Sequence, residues 1–327
     1  MRQGLADKRL PTIGIALSGG GMRGLAHLGV LQVLEEIQMP IQAMAGTSMG
    51  ALVAGLYAAG VPLDDLIAFS TKIGLMDLAS RDRERRGLVG HAKMARLLAG
   101  LLGSPDMSFE ECRIPVVVVA TDIERGEMVI LDRGPLIPAL MASAAFPFVF
   151  APLRHDGRWL VDGGVLNNLP VDVVRQMGVD RVIGVNVPPD MRLSLDNPGG
   201  AEHPGRRPFR DRRRRWAVPF RVAEASSGLT SAIVTRTRLE RCPPDLLLEV
   251  RLPNVGRMYP SAVFTTHRNA ETIAAGYQLA VSRREELVAL RSTPVPRAWQ
   301  QRAAHLRQRI RRAWAVLQEP AHPSYPG

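Results

Sequence analysis

Cysteine is scarce in this sequence, which contains only Cys112 and Cys242 among its 327 residues. Two cysteines are too few for a disulfide framework, and their spacing fits no metal site, so we expect a protein of a reducing compartment. The first nine residues carry charges of both signs and lack the apolar core of a signal peptide. This pattern favours a cytoplasmic location.

Long apolar runs are also missing. The longest apolar region, residues 41–63, is interrupted by four glycines, a serine and a proline. Such a region does not fit a membrane-spanning helix and indicates a buried strand followed by a buried helix. Because 46% of the 327 residues are hydrophobic, we expect a soluble globular protein with either one large core or one core plus an appendage.

Lysine is rare too, since arginine supplies 39 of the 42 basic residues, and the formal net charge is +11. Most of that charge lies in two segments. The segment from Arg206 to Arg221 holds eight arginines, and the segment from Arg297 to Arg312 holds six. The rest of the chain is therefore close to neutral, and the basic character belongs to a loop and a tail.

These two basic segments predict a partner. From Trp299 to Leu317, apolar residues recur at helical spacing and most arginines lie off that stripe. A basic amphipathic helix with tryptophan on its apolar side is typical of contact with an anionic membrane, here its inner face. Packing of the stripe on the protein itself remains the alternative. Aromatic residues are sparse among the arginines of the first segment, so we expect no nucleic-acid partner.

The order of the predicted elements indicates an α/β fold. Residues 13–17 and 41–45 are predicted strands, and residues 24–37 between them carry leucines at helical spacing. Two strands joined by a helix so early in the chain favour a parallel sheet. Further strands are predicted at residues 116–120, 128–131, 158–161, 181–187 and 246–250, and further helices at 51–59, 63–73, 91–102, 136–145, 170–177, 223–239 and 263–290.

Ser48 is the candidate nucleophile. It lies between Gly46 and Gly50, after a predicted strand and before a predicted helix. A sharp turn at such a place exposes a serine hydroxyl above the sheet, and the glycines are needed because neighbouring backbone approaches too closely for a Cβ atom. Glycine-spaced serines also occur by chance, so the assignment depends on the surrounding motifs.

A glycine-rich loop follows the first predicted strand and opens the first helix. Its sequence is Gly19-Gly20-Gly21-Met22-Arg23-Gly24. The spacing fits a dinucleotide-binding fingerprint, but the second strand ends without an acidic residue for a ribose, so we expect no nucleotide cofactor. Consecutive N–H groups at a helix N-terminus bind anions. The loop is therefore either a candidate oxyanion hole or a turn that lets the helix pack on the sheet.

Ser48 needs a general base, and Asp162 is the better candidate. Asp162 ends a predicted strand and precedes Gly163 and Gly164, which allow the backbone to approach closely. A desolvated position would raise the pKa of the carboxyl group and make it a useful base. The alternative is a plain turn, in which an Asp-Gly pair is common.

A catalytic histidine fits less well. A triad of Ser48, Asp162 and His267 would follow the chain order of α/β-hydrolases, but that fold places more strands before its nucleophile. His267 also falls within a predicted helix. His27 lies close to the glycine loop, and we expect it to have a packing role.

Four motifs occur in a characteristic order. They are the glycine loop, the turn at Ser48, the Ala-Ser-Ala-Ala-Phe-Pro segment of residues 142–147, and Asp162-Gly163-Gly164. In this order they resemble the patatin-like phospholipases, in particular the short bacterial members, and the resemblance covers residues 13–187. It implies a three-layer α/β/α sandwich with a mainly parallel central sheet, here followed by a helical C-terminal extension.

The resemblance also implies a chemistry. A serine–aspartate dyad would hydrolyse carboxylic ester bonds of phospholipids or lysophospholipids through an acyl-enzyme, without a metal or a cofactor. Ser48 would be the nucleophile and Asp162 the general base. The remaining residues that the resemblance assigns form the oxyanion hole, from the backbone of Gly19, Gly20, Gly21 and Met49, helped by Arg23.

Two other functions stay open at this point. An acyltransferase or transacylase would use the same acyl-enzyme with an alcohol acceptor, and a non-enzymatic, membrane-associated regulatory protein would keep only the fold. For the domains, we expect a catalytic domain at residues 13–187 and a flexible, arginine-rich insertion at 188–218. The α/β body would be completed by residues 219–292, and a basic amphipathic helix and tail would occupy residues 293–327.

Overall fold

The structure is a computed structural model that describes residues 8–73, 90–147, 149–188, 214–252 and 267–296. Its strands are β1 (Lys8–Arg9), β2 (Ile13–Leu17), β3 (Ile41–Thr47), β4 (Val116–Asp122), β5 (Glu127–Leu131), β6 (Leu153–His155), β7 (Arg158–Asp162), β8 (Arg181–Asn186), β9 (Leu246–Glu249) and β10 (Val295–Pro296). Its α-helices are α1 (Ala26–Glu36), α2 (Met49–Ala58), α3 (Leu63–Lys72), α4 (Ala92–Leu102), α5 (Leu136–Ser143), α6 (Val171–Gln176), α7 (Arg214–Arg241), α8 (His267–Ser282) and α9 (Arg284–Ser292).

The central sheet is mixed, with mostly parallel strands. In the described part of the chain it has eight strands, seven of which follow the order β6-β7-β4-β3-β2-β8-β9, while β5 pairs with β4. Strands β2, β3, β4, β8 and β9 pair in parallel, and β5, β6 and β7 pair antiparallel. The mainly parallel α/β sheet that the sequence predicts is confirmed.

Both faces of the sheet are covered by apolar side chains. Side chains alternate between the two faces of a strand, so Ile15 and Leu17 of β2 belong to a large apolar cluster while Ala16 belongs to a smaller one. Residues of α1, α2, α4, α5 and α8 complete the large cluster, and residues of α6 complete the small one. Helices therefore pack on both sides of the sheet, as is usual for buried parallel strands.

The strand register brings the ends of β3 and β7 together. Thr47, the last residue of β3, pairs with Val119 of β4, and Asp162, the last residue of β7, pairs with Ala120. Strand β5 pairs with residues 118–122 of β4 from the opposite side, so β3 and β7 lie on the same side of β4. Because β7 runs antiparallel to β4, β3 and β7 meet end to end along β4. Ser48, which follows Thr47, is thereby placed beside Asp162.

The helices after residue 213 differ from their predicted bounds. Helix α7 begins at Arg214, inside the segment 188–218 that we expected to lack regular structure. The helical segment predicted at residues 263–290 consists of two helices from His267 onward, because the backbone of Arg283 leaves the helical conformation (φ −111°, ψ 16°) and separates α8 from α9. Residues 189–213 of the predicted insertion, and residues 297–327 of the predicted C-terminal helix and tail, lie outside the described residues.

Candidate active site

Ser48 lies at a sharp turn between β3 and α2. Its backbone has φ 54° and ψ −124°, a combination that residues other than glycine rarely adopt. A Cβ atom added at Gly46 would lie 2.3 Å from the carbonyl oxygen of Gly50, and one added at Gly50 would lie 2.3 Å from that of Leu17. Both positions therefore require glycine, and the turn has the geometry of a nucleophile elbow.

Asp162 meets Ser48 at this turn. The Ser48 hydroxyl faces the Asp162 carboxylate, and Oδ1 of Asp162 accepts the N–H of Gly164 at 2.7 Å. Asp162 is only 3% exposed. Burial raises the pKa of Asp162 to about 6, and the nearby Ser48 hydroxyl and the N–H of Gly164 offset part of that rise. A carboxylate with this pKa is mostly ionised at neutral pH and is able to accept the Ser48 proton.

Ser143 holds the backbone of the turn at Ser48 in place. Its Oγ accepts the backbone N–H of Ser48 at 2.9 Å and donates to the carbonyl oxygen of Val119 at 2.6 Å. Ser143 is fully buried, so its hydroxyl has no water to bond instead. Residues 142–147 stand out as a motif in the sequence, but the role of Ser143 could not be predicted because its partners are distant in the chain.

The N–H groups of the glycine loop have different partners. The N–H of Gly19 donates to the carbonyl oxygen of Asn168 at 3.1 Å and is therefore engaged within the fold. For the N–H groups of Gly20, Gly21 and Met49, no acceptor is found among the residues that the structure describes. Gly21 and Met49 each begin a helix, where backbone N–H groups lack intrahelical partners. These three groups are the candidate oxyanion donors.

Arg23 contacts the backbone of the glycine loop. Its Nε donates to the carbonyl oxygen of Gly20 at 3.2 Å, and one terminal nitrogen donates to that of Pro188 at 3.3 Å. In a trans peptide the C=O and the N–H point in opposite directions, so holding the Gly20 carbonyl also directs the N–H of Gly21 away from Arg23. Arg23 is thus placed to orient a candidate donor through the loop.

The described histidine side chains, those of His27, His91 and His155, contact groups other than Ser48 and Asp162, and the side chain of His267 lies outside the described part of the structure. Nε2 of His27 donates to the carbonyl oxygen of Ser18 at 2.7 Å, and burial lowers the pKa of His27 to about 4, so this side chain is neutral and packed in the core. His91 lies 2.7 Å from the carbonyl oxygen of Ala151, and His155 lies 3.6 Å from Asp156.

An apolar groove begins beside the turn at Ser48. It starts at Met22 and Met49, whose neighbours form the glycine loop and the turn at Ser48, and it runs between α1, α2, α3 and α4. Its empty space measures about 610 Å³, including the part open to solvent. Apart from Ser70, all of the described residues that line it are apolar, as suits a hydrocarbon chain.

Two further observations concern the described ranges as a whole. No helix in these ranges has both the length and the apolar character needed to cross a membrane. Nor do three or more His, Cys, Asp or Glu side chains of these ranges gather in a way that would hold a metal ion.

Residues 15–175 match the sequence model of a family described as patatin-like phospholipase. An uncharacterized NTE family protein of Mycobacterium tuberculosis is 37% identical over 180 residues, which cover 54% of this chain and 49% of that protein. Lysophospholipase NTE1 of Cryptococcus neoformans is 31% identical over 194 residues, which cover 54% of this chain and 11% of that protein. The chain thus spans about half the length of the first relative and far less of the second.

A solved structure is also similar. The crystal structure of VipD from Legionella pneumophila has a TM-score of 0.47 and 14% sequence identity, and the match covers 84% of this chain and 67% of that chain.

Proposed function

The chain carries a domain of the patatin-like phospholipase family over residues 15–175, and we propose that the protein is a lipid acyl hydrolase with Ser48 as nucleophile and Asp162 as general base. The family and the lysophospholipase relative both support a lipid hydrolase. The observation that carries the residue assignment is the strand register, which brings the sharp turn at Ser48 beside the buried Asp162 carboxylate.

In the first step, Asp162 accepts the hydroxyl proton while Oγ of Ser48 attacks the carbonyl carbon of the ester. The negative oxygen of the tetrahedral intermediate binds the N–H groups of Gly20, Gly21 and Met49, close to the positive end of the α2 dipole. When the intermediate collapses, the bond to the leaving alcohol breaks, and Asp162 returns its proton to that oxygen. The acyl group remains on Ser48 as an ester.

In the second step, water replaces the alcohol. Asp162 accepts a proton from the water as the water oxygen attacks the acyl carbon, and the same N–H groups bind the second oxyanion. Collapse releases the fatty acid, and the proton returns from Asp162 to Oγ of Ser48. We propose that both steps proceed without a metal, since every proton transfer and charge has a protein partner.

The apolar groove supports a substrate with a long acyl chain, such as a phospholipid or a lysophospholipid. It opens at Met22 and Met49, next to the proposed oxyanion donors, and continues between four helices toward Leu101. Burial of each methylene group contributes about 0.8 kcal/mol, so a long chain in this groove would position the ester at Ser48. The charged headgroup would remain on the solvent side.

The experiment compares fatty acid release by purified variants from vesicles of phosphatidylcholine and of lysophosphatidylcholine. Ser48→Ala and Asp162→Asn are each expected to lower the rate by about 100-fold or more, because each removes one proton-transfer partner. Ser282→Ala and Asp106→Asn, at exposed positions, are matched controls expected to keep the wild-type rate. Wild-type release by Ser48→Ala would refute the assignment, and loss of activity on adding EDTA would refute the absence of a metal.

We further propose that the arginine-rich segments, Arg206 to Arg221 and Arg297 to Arg312, bring the protein to an anionic membrane surface. The described side chains of α7 next to the first segment include the exposed apolar residues Val222, Leu229 and Ile233, which share one side of the helix. Arginines beside exposed apolar side chains are typical of membrane-surface helices.

Co-sedimentation tests this contact. Vesicles of phosphatidylcholine with added phosphatidylglycerol are expected to bind the protein at low salt, and vesicles of phosphatidylcholine alone are expected to bind it much less. Equal binding to both vesicle types would contradict the electrostatic contact.

A further inference from the structure

The residues that follow Asp162 form a loop that contacts both Thr47, the residue before Ser48, and Gly19 of the glycine loop. Residues 163–168 form this aspartate loop. We propose that Arg238 of α7, which lies beyond the matched family domain, is a positioning residue that holds the aspartate loop against the active site. The inference rests on the proposed function of Ser48 and Asp162.

Arg238 binds the outer side of the aspartate loop. Its Nε donates to the carbonyl oxygen of Leu166 at 2.8 Å, and its Nη1 donates to Oδ2 of Asp172 at 2.8 Å. The two acceptors flank the end of the loop, and the fixed fork of a guanidinium group suits two acceptors at once. The Arg238 side chain is 32% exposed, so the ion pair is partly shielded from water.

Asp172 connects Arg238 through Asn167 to β3, the strand that precedes Ser48. Its Oδ1 accepts Nδ2 of Asn167 at 2.9 Å. The carbonyl oxygen of the same Asn167 accepts the hydroxyl of Thr47, the residue before Ser48, at 2.8 Å. Asn167 and Thr47 are both fully buried, so these bonds have no solvent substitute.

Asn168, the next residue of the aspartate loop, bonds to the glycine loop. The carbonyl oxygen of Asn168 accepts the N–H of Gly19 at 3.1 Å, and Nδ2 of Asn168 donates to the carbonyl oxygen of Gly19 at 3.4 Å. Gly19 directly precedes the candidate donors Gly20 and Gly21. A shift of Asn168 would therefore displace the oxyanion donors.

The start of the aspartate loop fixes the proposed base. The N–H of Gly164 donates to Oδ1 of Asp162, while the N–H groups of Leu166 and Asn167 both donate to the carbonyl oxygen of Gly163, at 3.1 and 2.8 Å. Leu166 is thus tied to Arg238 through its carbonyl group and to Gly163 through its N–H. The loop connects Arg238 to the base, the nucleophile and the oxyanion donors without Arg238 touching a reacting atom.

The test compares Arg238→Met with Arg236→Met. Arg236 lies on the same helix, is 77% exposed and pairs with Glu240, so its replacement is a matched control. Misplacement of catalytic groups by about 1 Å costs about 100-fold in rate. We therefore expect Arg238→Met to lower kcat by about 10- to 100-fold with KM unchanged, because the apolar groove is untouched. Arg238→Lys is expected to recover part of kcat, since it keeps one donor for Asp172.

The outcomes separate this inference from the proposed function. Equal kcat values for Arg238→Met and Arg236→Met would overturn the role of Arg238, whereas wild-type kcat in Ser48→Ala would overturn the proposed function. If Arg238→Met does not fold, Arg238→Lys is compared with Arg236→Lys in its place.

Hydrogen exchange of the residue 163–168 amides reads the loop without turnover. Faster exchange in the Arg238 variant than in its Arg236 control supports the inference. Equal exchange overturns it, whatever the origin of the activity.

Discussion

Oγ of Ser143 accepts the backbone N–H of Ser48 at 2.9 Å, so a fully buried hydroxyl from α5 holds the peptide group of the proposed nucleophile. The same oxygen donates to Val119 of β4 at 2.6 Å and is thereby fixed in orientation. The bond takes up the N–H of Ser48 itself, and it leaves the next N–H along the chain, that of Met49, as a candidate for the oxyanion hole. Ser143 thus stabilises the unusual backbone at Ser48.

Ser143→Ala is expected to lower kcat by about 10-fold or more while the protein still folds. The variant leaves the N–H of Ser48 buried without an acceptor, which costs about 1–3 kcal/mol and loosens the turn. The measurement combines kcat with the urea midpoint of unfolding. Thr272→Ala is the control, because it also removes a buried hydroxyl bonded to a carbonyl oxygen but lies on α8. An equal effect of both variants on kcat would argue against a role at Ser48.

Ser48→Gly is expected to be more stable than Ser48→Ala by about 1 kcal/mol. Both variants lose the hydroxyl, but only glycine adopts φ 54° and ψ −124° without strain, which is of the order of 1–3 kcal/mol for other residues. At Ser226, inside helix α7, the order should reverse, with glycine about 1 kcal/mol less stable than alanine. Urea unfolding of the four variants measures this, and the same order at both positions would show that Ser48 is unstrained.

The pH dependence of kcat/KM should report Asp162. The proposed base must be ionised, so kcat/KM is expected to rise tenfold per pH unit below a break near 6 and to level off above it. The raised position of this break follows from the burial of the carboxyl group. A profile measured from pH 3.5 to 8 locates the break. A break near 4 would match the ordinary pKa of an aspartate and would contradict the desolvation of Asp162, whereas a profile with no break below pH 7 would contradict Asp162 as the base.

Asp162→Asn is expected to stabilise the fold at pH 7 while it abolishes activity. The pKa of Asp162 is raised from 3.8 to about 6, so the folded state binds this proton more tightly than the unfolded state does. Folding stability therefore falls as the pH rises from about 4 through 6, by on the order of 3 kcal/mol in all. Asp162→Asn removes the ionisable group, so this fall in folding stability does not occur in the variant.

Urea unfolding at pH 4 and at pH 7 checks this difference. The two proteins should differ little at pH 4, and the variant should be the more stable at pH 7. Parallel changes of stability between the two pH values would show that Asp162 is not desolvated.

Most strands of the central sheet and the two proposed catalytic residues could be predicted because their signals are local. Gly46 and Gly50 report the backbone conformation of Ser48 from two residues away, and the apolar runs at 13–17 and 116–120 each coincide with a strand of the sheet. Strands β1, β6 and β10 were missed, since two or three residues show no periodicity.

The partners of the site could not be predicted, because they depend on contacts between distant parts of the chain. The N–H of Gly19 fits an oxyanion hole by sequence, but the fold brings the Asn168 carbonyl to it from 149 positions away. Arg238 lies among many arginines, and nothing in its neighbours distinguishes it from Arg236. Only the packing of α7 beside the loop of residues 163–168 gives it two acceptors.

Leu97→Trp should make the enzyme selective for short acyl chains. Leu97 of α4 lines the apolar groove and is partly buried, and the larger indole would fill space that a long acyl chain needs. Loss of a few buried methylene groups costs about 1–3 kcal/mol, so kcat/KM for a long-chain ester should fall about 10-fold or more. The value for a butyrate ester should stay within about 2-fold, since a short chain ends before Leu97.

Arg96→Trp provides the matched control. It adds the same side chain at the exposed neighbouring position of α4, outside the groove. The kcat/KM values for the long-chain ester and the butyrate ester should therefore stay unchanged. If Leu97→Trp lowered kcat/KM equally for both chain lengths, the acyl chain would lie elsewhere, and the groove would have only a structural role. The selectivity ratio therefore tests the position of the acyl chain separately from the chemistry at Ser48.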